Sequence, residues 1–111
     1  MTSSECKTQD LASTTSPVSA STFTIKNGTM RLNGLYVNTA VANEAISIVD
    51  YNASVSPETS RTIITIPAAT AAGTQIDLHG TSIRHSLRIT AGATTTGSVT
   101  VFYTPGIPGN R

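Results

Sequence analysis

The feature that most constrains this chain is a series of short runs in which apolar and polar residues alternate. Alternation with a period of two places every second side chain on the same face of a β-strand. The runs begin near residue 22, end at Gly, Pro, Asn or Asp, and recur at spacings of about ten residues, as in small all-β domains. No run has the helical period of 3.6 residues. The sequence therefore predicts an all-β fold.

Two Asn-Gly pairs indicate how the first strands are arranged. Asn27 and Gly28 predict a β-hairpin turn, because both residue types tolerate a positive φ. At Asn33 and Gly34 the apolar residues change from one parity to the other. This change predicts a glycine bulge within one strand from about residue 29 to 39, with a small meander as the alternative.

Together the runs predict seven or eight short strands in an antiparallel β-sandwich of the jelly-roll or immunoglobulin-like type. Hydrophobic residues make up 38% of the 111 residues, which is enough for one domain with its own core. The residues of inward parity form the predicted core: Phe23, Ile25, Leu32, Leu35, Val37, Ile46, Ile48, Ile64, Ile66, Ile76, Leu78, Leu87, Ile89, Val99, Val101 and Tyr103.

Three parts of the sequence differ in composition. Residues 1–21 are polar and rich in Ser and Thr, which predicts an extended N-terminal arm that becomes ordered on a partner. A flexible tail without fixed structure is the alternative interpretation of this segment. Residues 22–104 form the predicted sandwich, and residues 105–111 form a C-terminal tail rich in Pro and Gly.

Charge and hydropathy exclude some classes of partner. Charged residues make up 12% of the sequence and the net charge is +1, whereas a nucleic-acid-binding surface gathers an excess of Lys and Arg. No apolar run is long enough to cross a membrane, and the first 21 residues lack the features of a secretory signal. We therefore expect a soluble protein with neither nucleic acid nor membrane as a partner.

Residues that could support catalysis are few. Asp77 and His79 are two apart on a predicted strand, and His85 follows across a turn, so a three-ligand metal site is conceivable. The parity of His85 directs its side chain away from Asp77 and His79. This favours the alternative interpretation, in which the three are ordinary polar residues that flank a turn. The sequence contains no nucleophile elbow and no phosphate-binding glycine motif. We therefore expect that the protein is not an enzyme and that it binds no cofactor, metal or small-molecule substrate.

Candidate contacts with a partner fall into three groups. The first comprises apolar residues of the arm. The second comprises aromatic residues predicted to point away from the core of a nearly uncharged sheet. The third comprises two arginines on the outward face of one strand, which suit an acidic partner surface. The candidates are Leu11, Pro17, Val18, Tyr36, Phe102, Arg84 and Arg88.

Five segments read in order carry a family resemblance: NGTMRLNGLYVNT, EAISIVDYN, TIITIPAATAAGTQIDLHG, SLRIT and TGSVTVFYT. They resemble small β-sandwich virion proteins of tailed bacteriophages, and the similarity covers about residues 28–104. The resemblance implies a non-enzymatic capsid decoration, or cement, protein that binds and stabilises the lattice of the major capsid protein. It implies a place in the virion, with assembly in the cytoplasm of a bacterial host, and an arm that lies across neighbouring shell subunits.

Other functions of a β-sandwich stay open at this point. One is a neck, tail or tail-fibre component, and another is a module that binds carbohydrate or a receptor. Few aromatic residues (5%) and the lack of Trp count against a sugar-binding platform. Because charges are scarce, the edge strands are expected to be poorly protected, which favours a homo-oligomer such as a trimer.

Overall fold

The structure is a computed structural model, and it describes residues 5–13, 17–52 and 59–106. The described residues contain β-strands and no helix. The strands are β1 (Glu5–Asp10), β2 (Ser21–Asn27), β3 (Met30–Ala42), β4 (Ile46–Asn52), β5 (Thr59–Ile66), β6 (Gln75–Ile83), β7 (Ser86–Ala91) and β8 (Thr96–Pro105).

The strands form two four-stranded sheets, and every pair of neighbours is antiparallel. Sheet A has the order β1-β8-β3-β6 and sheet B has the order β2-β7-β4-β5. The first half of the sequence thus pairs with the second half in reverse order: β1 with β8, β2 with β7, β3 with β6 and β4 with β5. Successive pairs of this ribbon alternate between the sheets, which is the topology of a jelly roll. The predicted all-β sandwich is confirmed, and its strand order is of the jelly-roll type.

The core lies between the two sheets and largely follows the predicted parity. All but four of the predicted core residues are buried. The exceptions are half-buried and pack against the core: Phe23, Ile64, Ile76 and Leu78. Ile76 and Leu78 belong to β6 and Ile64 to β5, which are edge strands with a neighbour on one side only. The structure adds core residues that the parity did not identify: Leu11, Met30, Val41, Ile83 and Ala91.

The N-terminal segment contains an integral strand of the sandwich. β1 pairs with β8 over its whole length, from Glu5 opposite Tyr103 to Asp10 opposite Ser98. Leu11 follows the strand, is fully buried in the core, and donates a backbone hydrogen bond of 2.9 Å to the Gly97 carbonyl. The sandwich therefore begins at β1, and the predicted boundary between residues 21 and 22 is not the edge of the domain. Residues 1–4 and 14–16 of the predicted arm lie outside the described residues.

The turn at Asn27 and Gly28 does not form the expected hairpin. Gly28 has a φ of 100°, as the pair predicts, but β2 belongs to sheet B and β3 to sheet A. The Gly28 N–H donates to the His85 carbonyl at 2.7 Å, which fixes the turn to the connection between β6 and β7. The Asn-Gly pair therefore forms a turn, as predicted, but the strands before and after it do not pair with each other. The partners of these strands are set by the packing of the whole core.

The glycine bulge in β3 is confirmed. The register of β3 against both β6 and β8 shifts between Leu32 and Gly34, within one continuous strand. On the β6 side, the segment from Leu78 to Gly80 forms a larger bulge, after which the strand continues to Ile83. The expected strand end at Gly80 is therefore wrong, and this is why parity does not place Ile83 in the core.

The predicted C-terminal tail overlaps the last strand. Pro105 ends β8, and the Gly106 N–H donates a hydrogen bond of 3.0 Å to the Thr29 carbonyl. Residues 107–111 lie outside the described residues.

Candidate partner-binding surfaces

The outer face of sheet A carries two exposed aromatic side chains on neighbouring strands. Tyr36 of β3 and Phe102 of β8 are each 37% exposed, as expected from their parity. Phe102 lies opposite Gly34, and Tyr36 lies opposite Thr100, so the two rings occupy diagonal positions on one surface. Diagonal neighbours on a sheet are about 7–8 Å apart, within reach of one bound partner. We call the outer surface around these two rings the aromatic face.

An open groove of about 540 Å³ runs beside Phe102 on the aromatic face. Gly34 is part of its lining, together with polar side chains of β3 and β6: Asn33, Gln75 and Asp77. A Cβ atom at Gly34 would lie 2.5 Å from the Ile76 carbonyl oxygen, so the close approach of β6 requires glycine there. Gly34 contributes no side chain to the groove lining. The groove is open to solvent and is not an enclosed reaction cleft.

Neutral hydrogen bonds hold the centre of the aromatic face. The Thr8 and Thr100 hydroxyls lie 2.8 Å apart across β1 and β8. The Thr100 hydroxyl donates to Asn38 Oδ1 at 2.6 Å, which extends the network to β3. β1 thereby helps to fix the surface on which the aromatic rings stand.

The apolar residues of the N-terminal segment differ in burial. Leu11 is buried in the core of its own domain, so it is not available to a partner, contrary to our expectation. The physical reason is that β1 places it at the end of sheet A, between the two sheets. Pro17 and Val18 are exposed on the connection from β1 to β2, and Val18 is 58% exposed. These two stay candidate contacts.

The two candidate arginines lie at one end of sheet B, around a pocket of about 290 Å³. We call it the basic pocket. Its lining comes from the ends of β2 and β4 and from the start of β7: Asn27, Tyr51, Asn52, Arg84, His85, Ser86 and Arg88. No carboxylate is among these lining residues. Arg84 is exposed in the turn before β7, whereas Arg88 is half-buried within the strand.

Asp50 holds the turn that carries Arg84 and His85. Its carboxylate is buried and accepts backbone hydrogen bonds from both residues, at 2.9 and 3.0 Å, and a longer contact of 3.4 Å from Arg61. Burial alone would raise the pKa of the Asp50 carboxyl. The hydrogen bonds from Arg84, His85 and Arg61 and the nearby His85 charge outweigh burial, so the pKa lies below its ordinary value. Asp50 is thus a structural anion beneath the pocket.

Glu44 has a similar role at another connection, between β7 and β8. Its carboxylate accepts hydrogen bonds from the Thr94 hydroxyl at 2.6 Å and from the Thr94 N–H at 3.0 Å. These bonds lower the pKa of the Glu44 carboxyl. Both carboxylates fasten turns, and the contacts provide no paired acid and base.

The conceivable metal ligands do not form a cluster in the structure. Asp77 and His79 are paired at the surface of β6, where Asp77 Oδ1 lies 3.5 Å from His79 Nδ1 and accepts a 2.9 Å hydrogen bond from the His79 N–H. His85 lines the basic pocket instead. Across residues 5–13, 17–52 and 59–106, no group of three His, Cys, Asp or Glu residues is placed to bind a metal ion.

Irregular backbone interrupts three of the four edge strands, β2, β5 and β6. A register shift in β2 leaves Ile25 without a cross-strand partner, and a similar shift leaves Ile63 of β5 unpaired. On β6, the left-handed φ values of His79 (53°) and Gly80 (70°) distort the edge. Bulges of this kind discourage edge-to-edge pairing. The edge strand β1, in contrast, pairs with β8 without a register shift, so the expectation of a poorly protected edge stays a prediction for this strand.

Sequence reasoning missed three residues that shape these surfaces. Parity places Gly34 in a bulge, but its role in opening the groove depends on the position of β6. The sequence pattern places Asp50 and Tyr51 only at the end of a strand. Nothing in their local sequence indicates that Asp50 binds a turn far along the sequence, because that contact depends on the jelly-roll pairing of β4 with β7.

No family model, curated protein or solved structure matches this protein. In the described part of the sequence there is no helix of the length and apolarity that crossing a membrane requires. The fold and the two surfaces are therefore the basis for any statement about function.

Proposed function

We propose that this protein is a non-enzymatic structural component of a tailed-phage virion. In this proposal it is a capsid decoration protein that binds and stabilises the major capsid protein lattice and is assembled in the cytoplasm of a bacterial host. The aromatic face is the contact with the shell. The observation that carries the proposal is the pair Tyr36 and Phe102, two large exposed side chains on one otherwise polar surface.

The fold gives general support. Jelly rolls recur in viral capsid proteins, lectins and cupins, so the strand order is compatible with the family that the sequence segments resemble. Because one fold serves many functions, this support is an analogy. The surface supplies the specific argument.

The chemistry of the aromatic face suits a protein partner. Aromatic residues are enriched at protein interfaces and often contribute most of the binding free energy. The central contacts of this face, among Thr8, Thr100 and Asn38, are between uncharged side chains. Burial of the two rings would therefore stabilise a complex, and the exposed Asp77 in the neighbouring groove is the charged group that a partner would have to leave in water or pair.

Sedimentation with phage heads from the same source tests this proposal. We expect the wild-type protein to sediment with heads from which the native copy has been removed. The double variant Tyr36→Ala/Phe102→Ala should bind at least about tenfold more weakly, since loss of interface aromatics costs more than about 1 kcal/mol. Val18→Ala tests the connection from β1 to β2, and Thr65→Ala, which shortens an exposed side chain on β5 of sheet B, is the control outside both candidate contacts.

The controls separate the possible contacts. Full binding by the double variant and loss of binding by Val18→Ala would transfer the contact to the connection between β1 and β2. If the wild-type protein stays in the supernatant at micromolar concentration, it is not a decoration protein. A neck, tail or tail-fibre position would then remain as the alternative, and imaging of whole phage particles would test it. A homo-oligomer such as a trimer is part of the proposal, and light scattering on the purified protein tests it.

A carbohydrate- or receptor-binding module is the second candidate, and the groove beside Phe102 favours it. Sugar sites combine an aromatic ring with amide and carboxylate groups, and Asn33, Gln75 and Asp77 line this groove. A glycan array distinguishes the two functions. Binding that Phe102→Ala abolishes would favour the carbohydrate function, whereas an empty array together with binding to heads would favour decoration.

A further inference from the structure

The basic pocket at the end of sheet B has the features of a preformed anion-binding site. The proposed function uses neither the charge nor the rigidity of this pocket. We propose that it receives the carboxylate of an acidic side chain of a protein partner. The inference is independent of the aromatic face and of the virion assignment.

Arg88 is oriented in advance for such a ligand. Its Nε donates a hydrogen bond of 3.0 Å to the Ser86 hydroxyl, and its guanidinium carbon lies 4.2 Å from the centre of the Tyr51 ring. The hydrogen bond uses only Nε, which leaves the two terminal nitrogens for a ligand. A guanidinium held in this way loses little conformational entropy on binding, and its planar fork matches the two oxygens of a carboxylate.

The second wall of the pocket is equally rigid. The Asp50 carboxylate accepts the Arg84 and His85 N–H groups, and the His85 carbonyl accepts the Gly28 N–H at 2.7 Å. The backbone beneath both side chains is therefore fixed from two sides. Asp50 does not line the pocket, because its oxygens are directed to this turn and to Arg61.

The two arginine side chains of the pocket have no carboxylate partner among the described residues, since the Asp50 carboxylate is directed to the turn backbone and to Arg61. Across residues 5–13, 17–52 and 59–106, neither Arg84 nor Arg88 forms an ion pair. The pocket volume of about 290 Å³ suits a group the size of a side chain and is small for an extended ligand.

The distribution of other cations favours a single carboxylate over a nucleic acid. Lys7 and Arg31 donate to the backbone carbonyls of Thr24 and Gly80, and Arg61 donates to the Ser82 carbonyl and contacts Asp50, so none of the three lines the pocket. A nucleic-acid surface needs a stripe of cations that follows a row of phosphates. Here two arginines line one small pocket in a protein of net charge +1, which fits one anionic group.

Nuclear magnetic resonance titration of the full-length protein tests this site. The probe is the blocked peptide acetyl-Gly-Glu-Gly-amide, and the matched control is the same peptide with Gln. We expect saturable shifts of backbone amides around the pocket with the Glu peptide only, at roughly millimolar affinity, because a partly exposed ion pair is weak. Arg88→Gln should weaken this binding about tenfold, by loss of a bidentate charged contact.

Two further variants make the result decisive. Arg84→Gln changes an exposed turn side chain whose backbone makes the contact to Asp50, so it tests the pocket if Arg88→Gln fails to fold. Arg31→Gln removes the same charge from sheet A and should leave the affinity unchanged. Equal shifts with the Gln peptide, unchanged binding by both pocket variants, or saturation by inorganic phosphate without any response to the Glu peptide would overturn the proposal.

Discussion

The aromatic face of sheet A and the basic pocket of sheet B show two ways in which one small sandwich can present a contact. The aromatic face has apolar rings, neutral hydrogen bonds and an open groove that depends on Gly34. The basic pocket has a fixed guanidinium and a turn held by a buried anion. In our proposals the face would obtain its binding free energy from apolar burial, whereas the pocket would select a ligand by its charge.

Each surface depends on a different structural support, and each support can be removed. The aromatic face depends on β1, which completes sheet A and is anchored by Leu11. The basic pocket depends on Asp50. We expect the free energy of unfolding to fall most on loss of the Leu11 side chain, less on loss of the Asp50 carboxylate, and least on protonation of Asp50.

The largest effect is expected for Leu11→Ala. Leu11 is fully buried, and loss of a buried leucine costs the transfer free energy of its methyl groups and leaves a cavity. We expect the free energy of unfolding to fall by about 3 kcal/mol, measured by urea denaturation. Val18→Ala on the same connection should change it by less than about 0.5 kcal/mol. Equal stability of the two variants would mean that the N-terminal segment is an arm and not part of the sandwich.

A somewhat smaller effect is expected for Asp50→Ala. The substitution leaves the Arg84 and His85 N–H groups without the carboxylate that accepts their hydrogen bonds. We expect a loss of about 2 kcal/mol in the free energy of unfolding, together with loss of the carboxylate peptide's affinity for the basic pocket. Asp77→Ala removes an exposed carboxylate and should cost less than about 0.5 kcal/mol. Similar stability of the two variants would show that Asp50 does not hold the turn.

The smallest effect is expected for the pH dependence of stability. It tests whether the negative charge of Asp50, and not only its hydrogen-bonding shape, stabilises the turn. The folded-state pKa of Asp50 lies below its ordinary value, so the unfolded protein takes up the proton first as the pH falls. The stabilisation by Asp50 is therefore complete above about pH 4 and is lost as the pH falls through the folded-state pKa.

Denaturation midpoints between neutral pH and about pH 2 test this dependence. The wild-type protein should lose more stability in acid than Asp50→Asn, which cannot ionise. Glu44, whose pKa is also lowered, contributes equally to both proteins. Parallel curves for the two proteins would exclude a role for the Asp50 charge.

The sequence predicted the fold class and most of the core because apolar residues alternate along most of each central strand, apart from the parity change at the bulge of β3. It missed β1 because that strand has no such alternation: of Glu5–Asp10, only Gln9 is even half-buried. Pairing with β8 is made by the backbone, so the side chains leave no periodic signal.

The surfaces were predictable only in part. Parity correctly placed Tyr36 and Phe102 outside the core. It could not show that Gly34 opens a groove beside Phe102, or that Tyr51 supports Arg88, because both relations join residues on different strands. Strand order, which sets these neighbours, is decided by the packing of the whole domain.

The most direct test of the central claim is an electron cryo-microscopy map of the native assembly, at a resolution that shows the orientation of the sandwich. The account predicts that Tyr36 and Phe102 face the capsid lattice and are covered by the major capsid protein. A map in which this protein sits on the shell with the aromatic face in solvent would contradict the account.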